Sequence, residues 1–350
     1  MNSSRLDSEG LSASPRALPG PLMIDVEAHA LTESDRRRLR HPLVGGVILF
    51  SRNYRDPAQL TQLCAEMRAV RPELLIGIDH EGGRVQRCRA GFTRLPAMRR
   101  LGDTWDRDAQ AGEAAARAIG FVLASELRAC GIDFSFTPVL DLDWGHSGVI
   151  GDRSFHRDPA AVVALAGALI EGLRQAGMGA CGKHFPGHGW AEADSHVAIP
   201  VDTRPRDEIA PDIEPYRHLA LDAVMPAHVI YPAVDERPAG FSPVWMDLLR
   251  RDIGFAGAIF SDDLSMAGAG VVGDILARAH AAWTAGADVL LVCNAPASVD
   301  TLLEQWHPEA EEKRAVRRAA LRSTQAAIPR NALGDDARYL AGVAAAQQLA

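Results

Sequence analysis

The segment 183–196, KHFPGHGWAEADSH, concentrates side chains that carry protons at neutral pH or bind them. It contains Lys183, His184, His188, Asp194 and His196 within fourteen residues. In an extended segment, residues two apart lie on one side, so the Asp194 carboxylate can accept a hydrogen bond from the His196 ring. The other ring nitrogen is then left to exchange a proton with a substrate. The spacing predicts a paired acid and base on an irregular loop.

A second set of polar residues stands at or near the ends of short apolar runs. These residues are Asp25, Asp79, Asp141, Asp143, Lys183, His184, His228, Ser261, Asp262 and Asp263. In an α/β barrel, the carboxyl ends of the strands form the face that carries the chemistry. One such residue would more often be a structural cap, but agreement at six strand ends indicates an active site.

Eight apolar runs, bounded by Gly, Pro or Asp, are typical of buried parallel strands. They are 21–26, 45–50, 74–79, 133–142, 179–185, 223–229, 257–262 and 288–293. Helical patterns lie between them, at 56–70, 111–131, 158–177 and 273–287, and Thr32 is a predicted helix cap.

The alternation predicts an α/β fold, a single (β/α)8 TIM-type barrel over residues 21–350. The segment 309–328 predicts an extra C-terminal helix outside the barrel. An open doubly wound sheet is the alternative, although no GxGxxG motif follows the first strand. Residues 1–20 are polar and are expected to form a disordered tail.

Composition excludes several classes of function. The 350-residue chain has a net charge of −8, and it has no long basic stretch that would track nucleic acid. It has no apolar run of 18 residues, so no membrane span is expected. Five cysteines without CxxC spacing indicate reduced thiols and a cytoplasmic protein.

Three motifs together resemble glycoside hydrolase family 3. They are IDHEGGRVQR at 78–87, KHFPGHG with ADSH at 183–196, and FSDDLSM at 260–266. The resemblance covers roughly residues 22–297. Within the family, the chain is similar to the single-domain bacterial β-N-acetylglucosaminidases of cell-wall recycling. The resemblance implies hydrolysis with retention, through a covalent glycosyl-enzyme.

The resemblance also implies residue roles. Asp262 matches the nucleophile, His196 the acid/base, and Asp194 the residue that orients it. The positions that hold the N-acetylglucosamine unit are matched by Asp79, Arg87, Arg153, Lys183 and His184. Without the family, Arg87 would as readily form an ion pair with Glu81 or a neighbouring acid. Asp263 is expected to brace the strand end, and His188 and Ser195 to shape the loop.

One position departs from the family pattern, because relatives often have Gln where this chain has His80. Little effect is expected, since Asp79 and Arg87 remain. The implied substrate is N-acetylglucosamine linked to 1,6-anhydro-N-acetylmuramic acid, with or without a peptide. No cofactor or metal is expected, nor a nucleic-acid or membrane partner, and a monomer is the expected state.

Three alternatives stay open at this point. A neutral histidine base does not repel an anionic acceptor, so phosphate could replace water and make the enzyme a phosphorylase. His184 and His228 could approach one another in a metal-dependent hydrolase. A sugar-binding protein that has lost catalysis is the third, although Asp262, Asp194 and His196 are all present.

Overall fold

The computed structural model describes residues 18–192 and 199–350, and it contains eight parallel strands that follow one another around a barrel. These strands are β1 Leu22–Ile24, β2 Val44–Leu49, β3 Leu75–Ile78, β4 Phe134–Ser135, β5 Cys181–Phe185, β6 Ala223–Pro226, β7 Ala258–Ile259 and β8 Leu290–Val292. Hydrogen-bonded ladders join β8, β1, β2, β3 and β4 in that order, and a second set joins β5, β6 and β7.

Two parallel bridges close the ring. Ser135 pairs with Ala180 between β4 and β5, and Phe260 pairs with Val289 between β7 and β8. Every strand therefore has a neighbour on both sides, which an open sheet does not allow. The predicted (β/α)8 barrel is confirmed, and the open doubly wound alternative is wrong.

The barrel interior is a packed core rather than a channel. The rings of Phe134 and Phe136 from the β4 side meet Phe260 from the end of β7, with ring centroids 5.0 to 5.6 Å apart. Strands β4 and β7 are not neighbours, so these rings can meet only through the interior. Aromatic packing of this kind fills the barrel below the active face.

Eleven α-helices lie in the described ranges and connect or cover the strands. They are α1 Glu33–Leu39, α2 Pro57–Val70, α3 Arg99–Trp105, α4 Ala109–Ala129, α5 Pro159–Gln175, α6 Arg206–His218, α7 Pro243–Asp247, α8 Ile275–Ala285, α9 Pro296–Gln305, α10 Glu312–Ala320 and α11 Ala337–Leu349. Thr32 caps α1, as predicted, in a reciprocal capping box with Asp35.

Helix boundaries follow local chemistry. Asp56, Asp108 and Asp274 each accept a hydrogen bond from the backbone N–H three residues on, at the starts of α2, α4 and α8. Helix α8 ends at Ala285 and is followed by Gly286, whose φ of 125° a residue with a side chain rarely adopts.

Two predicted elements differ in length. The run 133–142 is not one strand: β4 ends at Ser135, and only Val139 pairs further on, with Lys183. Pro138 interrupts the ladder because it has no N–H to donate. Of the C-terminal helix predicted at 309–328, only Glu312–Ala320 is helical, as α10. Helix α11 follows it as a separate helix.

Three aspartates tie the amino-terminal ends of neighbouring strands together. Asp133 accepts the backbone N–H of Ile76 on β3, and Asp288 accepts that of Ile259 on β7. Asp222 does the same for Ala180, next to β5. Each aspartate also forms an ion pair with arginine from a surrounding helix or helical segment. Asp133 pairs with Arg68, Asp222 pairs with Arg174, and Asp288 pairs with both Arg250 and Arg317. This face of the barrel is therefore stapled by charge-assisted hydrogen bonds.

The amino-terminal end of the described chain joins this face as well, because the Pro19 carbonyl accepts a hydrogen bond from Arg318. The predicted tail lies mostly outside the described residues, which begin at 18. Within the described part of the chain, no helix combines the length and the hydrophobicity needed to span a bilayer.

Candidate active site

A polar cavity of about 540 Å³ opens at the carboxyl-terminal ends of the strands. Its wall includes Asp79, Glu81, Arg87, Arg153, Lys183, His184, His188 and Asp262. A barrel places the ends of several different strands around one opening, so residues far apart in sequence meet there. The cavity is the candidate active site.

Lys183 and Glu81 form the centre of a buried ion network. The Lys183 Nζ atom lies 2.7 Å from Asp79 Oδ1 and 2.7 Å from Glu81 Oε1. Arg153 grips the same Glu81 carboxylate with two parallel hydrogen bonds, from Nε at 2.8 Å and from Nη2 at 2.9 Å. Two cations are thus held in fixed positions by one carboxylate.

Burial and neighbouring charge oppose one another in this network. Burial alone would raise the pKa of Glu81, but the charges of Arg153 and Lys183 hold that pKa well below its ordinary range. Burial alone would lower the pKa of Lys183, but Asp79 and Glu81 raise it. Glu81, Arg153 and Lys183 therefore stay charged at neutral pH, so they present fixed charges to a ligand.

Arg87 extends the network towards the rim of the cavity. Its Nη2 atom lies 3.7 Å from Asp79 Oδ2, and its guanidinium stands 5.8 Å from the centre of the Phe50 ring. The ion pair with Glu81 that the sequence left open is not formed, because Glu81 is occupied by Arg153 and Lys183. The neighbouring acid is Asp79.

His184 is held by a buried carboxylate beneath it. Its Nδ1 atom lies 2.7 Å from Asp141 Oδ2, and Asp141 Oδ1 accepts the backbone N–H groups of His184 and His188. Burial would raise the pKa of Asp141, but His184 and His188 lower it below its ordinary value. A carboxylate on Nδ1 fixes the tautomer, so Nε2 is the atom left for a ligand.

His188 is also part of the cavity wall. Its side chain is buried, its ring centroid lies 6.0 Å from that of His184, and neither ring nitrogen has a hydrogen-bond partner among the described residues. Burial lowers the pKa of His188, and the neighbouring His184 lowers it further. A neutral imidazole with unused polar atoms therefore faces the site, where a bound ligand can satisfy it.

Asp262 and Asp263 follow β7 but have different surroundings. Asp262 lines the cavity, and its Oδ1 accepts the backbone N–H of Asp263 at 2.8 Å. Asp263 accepts hydrogen bonds from Ser265 N, Ser265 Oγ and Cys293 N, at 2.7 to 3.0 Å. Burial raises the pKa of Asp263 despite these bonds. Asp263 therefore links the ends of β7 and β8.

The loop after β5 is described only in part. The described chain runs to Glu192, which lines the cavity, and resumes at Ile199. Asp194 and His196 lie outside the described residues, as does Ser195, so their roles stay predictions.

The family emerges from comparison with known proteins. The sequence matches the glycosyl hydrolase family 3 N-terminal domain over residues 21–325. The chain belongs to glycosyl hydrolase family 3. A β-hexosaminidase from Aromatoleum aromaticum is 60% identical over 327 residues, which cover 91% of this chain and 92% of that protein.

Solved family 3 structures agree with the fold. NagZ from Neisseria gonorrhoeae in complex with N-trifluoroacetyl-D-glucosamine matches with a TM-score of 0.91 and 51% identity, covering 96% of this chain and 99% of that one. NagZ from the same organism in complex with a zinc ion matches with a TM-score of 0.89 and 50% identity, covering 96% and 100%. The predicted enzyme class, a family 3 glycoside hydrolase of the β-hexosaminidase type, is thereby confirmed.

Six of the predicted site residues line the candidate active-site cavity of this family 3 chain. They are Asp79, Arg87, Arg153, Lys183, His184 and Asp262. Sequence reasoning gave no site role to three others: Glu81 at the centre of the network, Asp141 beneath His184, and His188, which was expected only to shape the loop. Glu81 and His188 lie inside the quoted motifs, but spacing alone did not reveal which partners they would find in space.

Two further histidines lie near the site without lining it. His80 is buried with its ring 5.7 Å from that of Phe92, and His228 stacks on Phe241 with its Nε2 3.1 Å from the Asp263 carbonyl oxygen. Across residues 18–192 and 199–350, no three or more His, Cys, Asp or Glu side chains are arranged to hold a metal ion.

Proposed function

We propose that this family 3 enzyme is a retaining exo-β-N-acetylglucosaminidase. Its substrate is a peptidoglycan fragment, N-acetylglucosamine linked to 1,6-anhydro-N-acetylmuramic acid, with or without a peptide. The observation that carries the proposal is the placement of Asp262 on the wall of the cavity that also contains the Asp79–Lys183–Glu81–Arg153 network. The N-trifluoroacetyl-D-glucosamine bound by the Neisseria relative supports an amino sugar as the ligand.

Asp262 is the proposed nucleophile. It attacks the anomeric carbon in its ionised form and produces a covalent glycosyl-enzyme, which water then hydrolyses with net retention. The backbone N–H of Asp263 donates a hydrogen bond to Asp262 Oδ1 at 2.8 Å, which helps to orient the carboxylate on the cavity wall. Asp263 is unsuited to this role because Ser265 and Cys293 occupy its oxygens.

His196 is the proposed acid/base, and Asp194 its orienting partner. An unperturbed imidazole titrates at about pH 6.5, so it is poised for proton transfer near neutral pH without burial. As a cation it protonates the leaving oxygen, and as a neutral base it then activates water. This role rests on the family resemblance of the ADSH motif.

The sugar is held by groups that the protein fixes beforehand. An ammonium has three donors, and Lys183 directs two of them to Asp79 and Glu81, which leaves one for a sugar oxygen. Asp79 and Arg87 offer an acceptor and donors beside it, while Arg153 and His184 complete the ring of contacts. Because these groups are already oriented, binding costs little reorganisation.

Replacement of the nucleophile tests the proposal directly. Asp262→Asn is expected to lower kcat on p-nitrophenyl β-N-acetylglucosaminide at least about 10⁴-fold. Binding of N-acetylglucosamine, measured by calorimetry, should persist, because the amide keeps the size of the carboxylate. Asp263→Asn is the comparison variant and should retain far more activity. Equal losses in both variants would contradict the assignment.

The stereochemical outcome is a second test. NMR of the first product formed by the wild-type enzyme should show the β-anomer, as double displacement requires. An α-anomer as first product would exclude a covalent intermediate at Asp262. Hydrolysis of the matching glucoside should be much slower, if the acetamido group is recognised.

Leaving-group dependence tests the acid/base. His196→Ala should lose least turnover on substrates with activated leaving groups such as p-nitrophenol, which need little proton donation. The loss should be far greater on the natural disaccharide. A loss of the same size on both substrates would count against proton donation by His196.

Activity measured with added phosphate or with EDTA tests two of the alternatives, the phosphorylase and the metal-dependent hydrolase. Glycosyl phosphate formed in the presence of phosphate would make the enzyme a phosphorylase, and activity that survives EDTA would exclude a metal-dependent hydrolase. We further propose that the protein is cytoplasmic, consistent with five buried cysteines that are all free, and that it is a monomer. Light scattering of the purified protein checks its mass in solution.

A further inference from the structure

A second cavity, of about 470 Å³, adjoins the active site. Its wall includes Tyr54, Arg55, Arg84, Gln86, Arg87 and Arg89. Arg84 and Arg87 line both cavities, so the two spaces meet at these side chains. Arg84 is held at the junction because it donates a hydrogen bond to the carbonyl of Val149, another residue of the active-site wall. A ligand that extends beyond the active site in this direction meets arginine.

The side chains around the second cavity, here called the arginine cavity, are positively charged, whereas the protein as a whole is negatively charged. The chain carries a net charge of −8, yet four of the residues around this cavity are arginines. Among the residues that the structure describes, no Asp or Glu side chain lines it. Local positive potential on an acidic protein attracts anionic ligands.

The arginines retain binding capacity. Arg89 donates only to the backbone carbonyls of Gln86 and Arg84, at 3.2 and 3.5 Å, and within the described ranges it forms no ion pair. Arg55 pairs with the exposed neighbour Asp56, and Arg84 lies 3.7 Å from the exposed Asp152. Exposed pairs of this kind are weak, so a ligand carboxylate can displace them.

The frame that presents these arginines is fixed. Residues His80–Gly82 and Val85–Gln86 form a short antiparallel hairpin, with Gly83 in its turn at a φ of 53°. The buried Gln86 amide donates to the carbonyls of Cys88 and Thr93 and accepts from the backbone of Leu95. A preorganised backbone lowers the cost of ordering the ligand contacts.

We propose that the arginine cavity binds a carboxylate on the leaving-group side of the substrate. The inference rests on the proposed function, because it takes the inner cavity as the site of the terminal amino sugar. The guanidinium fork matches a carboxylate with two parallel hydrogen bonds. The ligand class is therefore an acidic saccharide or an acidic peptide attached to it, rather than a neutral aglycone.

Arg55 and Arg89 are the residues to change, since neither lines the active-site cavity. The double variant Arg55→Gln/Arg89→Gln is compared on p-nitrophenyl β-N-acetylglucosaminide, on the disaccharide that ends in anhydro-N-acetylmuramic acid, and on its methyl ester. We expect kcat/KM to fall about five- to tenfold on the acid and less than twofold on the other two. Added salt should reduce the preference of the wild type for the acid.

Arg251→Gln supplies the matched control. It removes one exposed arginine from the helical segment Leu248–Asp252, away from both cavities, and should leave all three substrates unaffected. The proposal would be overturned if the double variant lost kcat/KM equally on all three substrates. It would also be overturned if kcat/KM stayed unchanged on every acidic fragment, with or without its peptide. If only a fragment with its peptide responds, the carboxylate belongs to the peptide rather than to the sugar.

Direct binding separates this proposal from the proposed function. Calorimetry compares anhydro-N-acetylmuramic acid with its methyl ester, on the wild type and on the double variant, without any turnover. Tighter binding of the acid, abolished in the double variant, supports the arginine cavity even if no N-acetylglucosaminide is cleaved. Equal affinities for acid and ester, with p-nitrophenyl β-N-acetylglucosaminide still cleaved, would remove the arginine cavity and leave the proposed function standing.

Discussion

At the scale of single residues, the site depends on how charge is buried. Glu81 is almost inaccessible to solvent, and its carboxylate satisfies both Arg153 and Lys183. A buried charge without a partner costs several kcal/mol, so each member of the network makes the others tolerable. Arg153 and Lys183, the proposed sugar-binding cations, can be buried at the cavity wall because the Glu81 carboxylate pairs with both of them.

His80 is the opposite case. It is a buried titratable group, and no neighbouring negative charge is strong enough to offset the effect of burial on its pKa. Burial and the nearby Arg87 lower the pKa of His80 from 6.5 to about 3. The unfolded chain binds a proton near pH 6.5, whereas the folded chain does so only near pH 3. Stability is therefore complete above pH 6.5 and falls as the pH decreases towards 3.

His80→Gln should remove this dependence, because glutamine does not titrate. At pH 5 the histidine penalty is on the order of 2 kcal/mol. We expect urea unfolding to show that wild type loses more stability than His80→Gln between pH 8 and pH 5, by about that amount. His307→Gln, at an exposed position, controls for the substitution itself. Parallel losses in wild type and His80→Gln would contradict the assignment.

At the scale of elements, glycine decides how closely α4 and α5 pack. A Cβ atom added at Gly172 of α5 would lie 2.0 Å from the carbonyl oxygen of Arg117 on α4. A Cβ added at Gly120 of α4 would lie 2.2 Å from the carbonyl oxygen of Leu169 on α5. The two helices thus touch backbone to backbone, through reciprocal glycines. This close approach fixes the distance between α4 and α5.

Gly172→Ala should therefore force the helices apart and destabilise the fold by about 1 to 3 kcal/mol. Gly167 lies in the same helix, but a Cβ there would meet only a Leu219 methyl at 3.5 Å, an ordinary contact. Gly167→Ala should be neutral or stabilising by up to about 1 kcal/mol, since alanine favours helix. Urea unfolding of both variants measures the contrast. Equal effects would show that interhelical contact is not the cause.

At the scale of the whole molecule, the two faces of the barrel use aspartate differently. Asp133, Asp222 and Asp288 precede strands β4, β6 and β8, and each ties its strand to the preceding one. Asp79 and Asp262 follow β3 and β7 and line the cavity. The amino-terminal face therefore serves closure of the barrel, and the carboxyl-terminal face serves chemistry.

Removal of these aspartates should have graded costs. Asp288 is fully buried between Arg250 and Arg317, so Asp288→Ala leaves cations and a strand N–H unsatisfied and should cost about 3 to 5 kcal/mol. Asp222 and its partner Arg174 are partly exposed, so Asp222→Ala should cost only about 1 kcal/mol. Denaturant unfolding gives the two values.

Catalysis supplies the control for this comparison. Both aspartates lie at the face opposite the cavity, so KM for p-nitrophenyl β-N-acetylglucosaminide should be unchanged wherever the variants remain folded. A raised KM in Asp288→Ala at a temperature well below its unfolding transition would mean that the two faces are coupled.

Sequence alone determined the barrel, because alternating apolar runs and helical patterns are local signals that read directly along the chain. Asp79, Lys183, His184 and Asp262, which the sequence places at strand ends, all line the cavity, since the carboxyl ends of parallel strands share one face. Strand length was predicted less well: Pro138 interrupts the run 133–142, and that effect depends on pairing with β5.

Only the tertiary structure decided which charges meet. That Glu81 pairs with Arg153 rather than Arg87, that Asp141 supports His184, and that His188 faces the cavity all depend on distances between different strand ends. The meeting of the arginine cavity with the active site is of the same kind. Spacing along a chain specifies the side on which a residue emerges from its strand, but its partners are set by how the strands are arranged around the barrel.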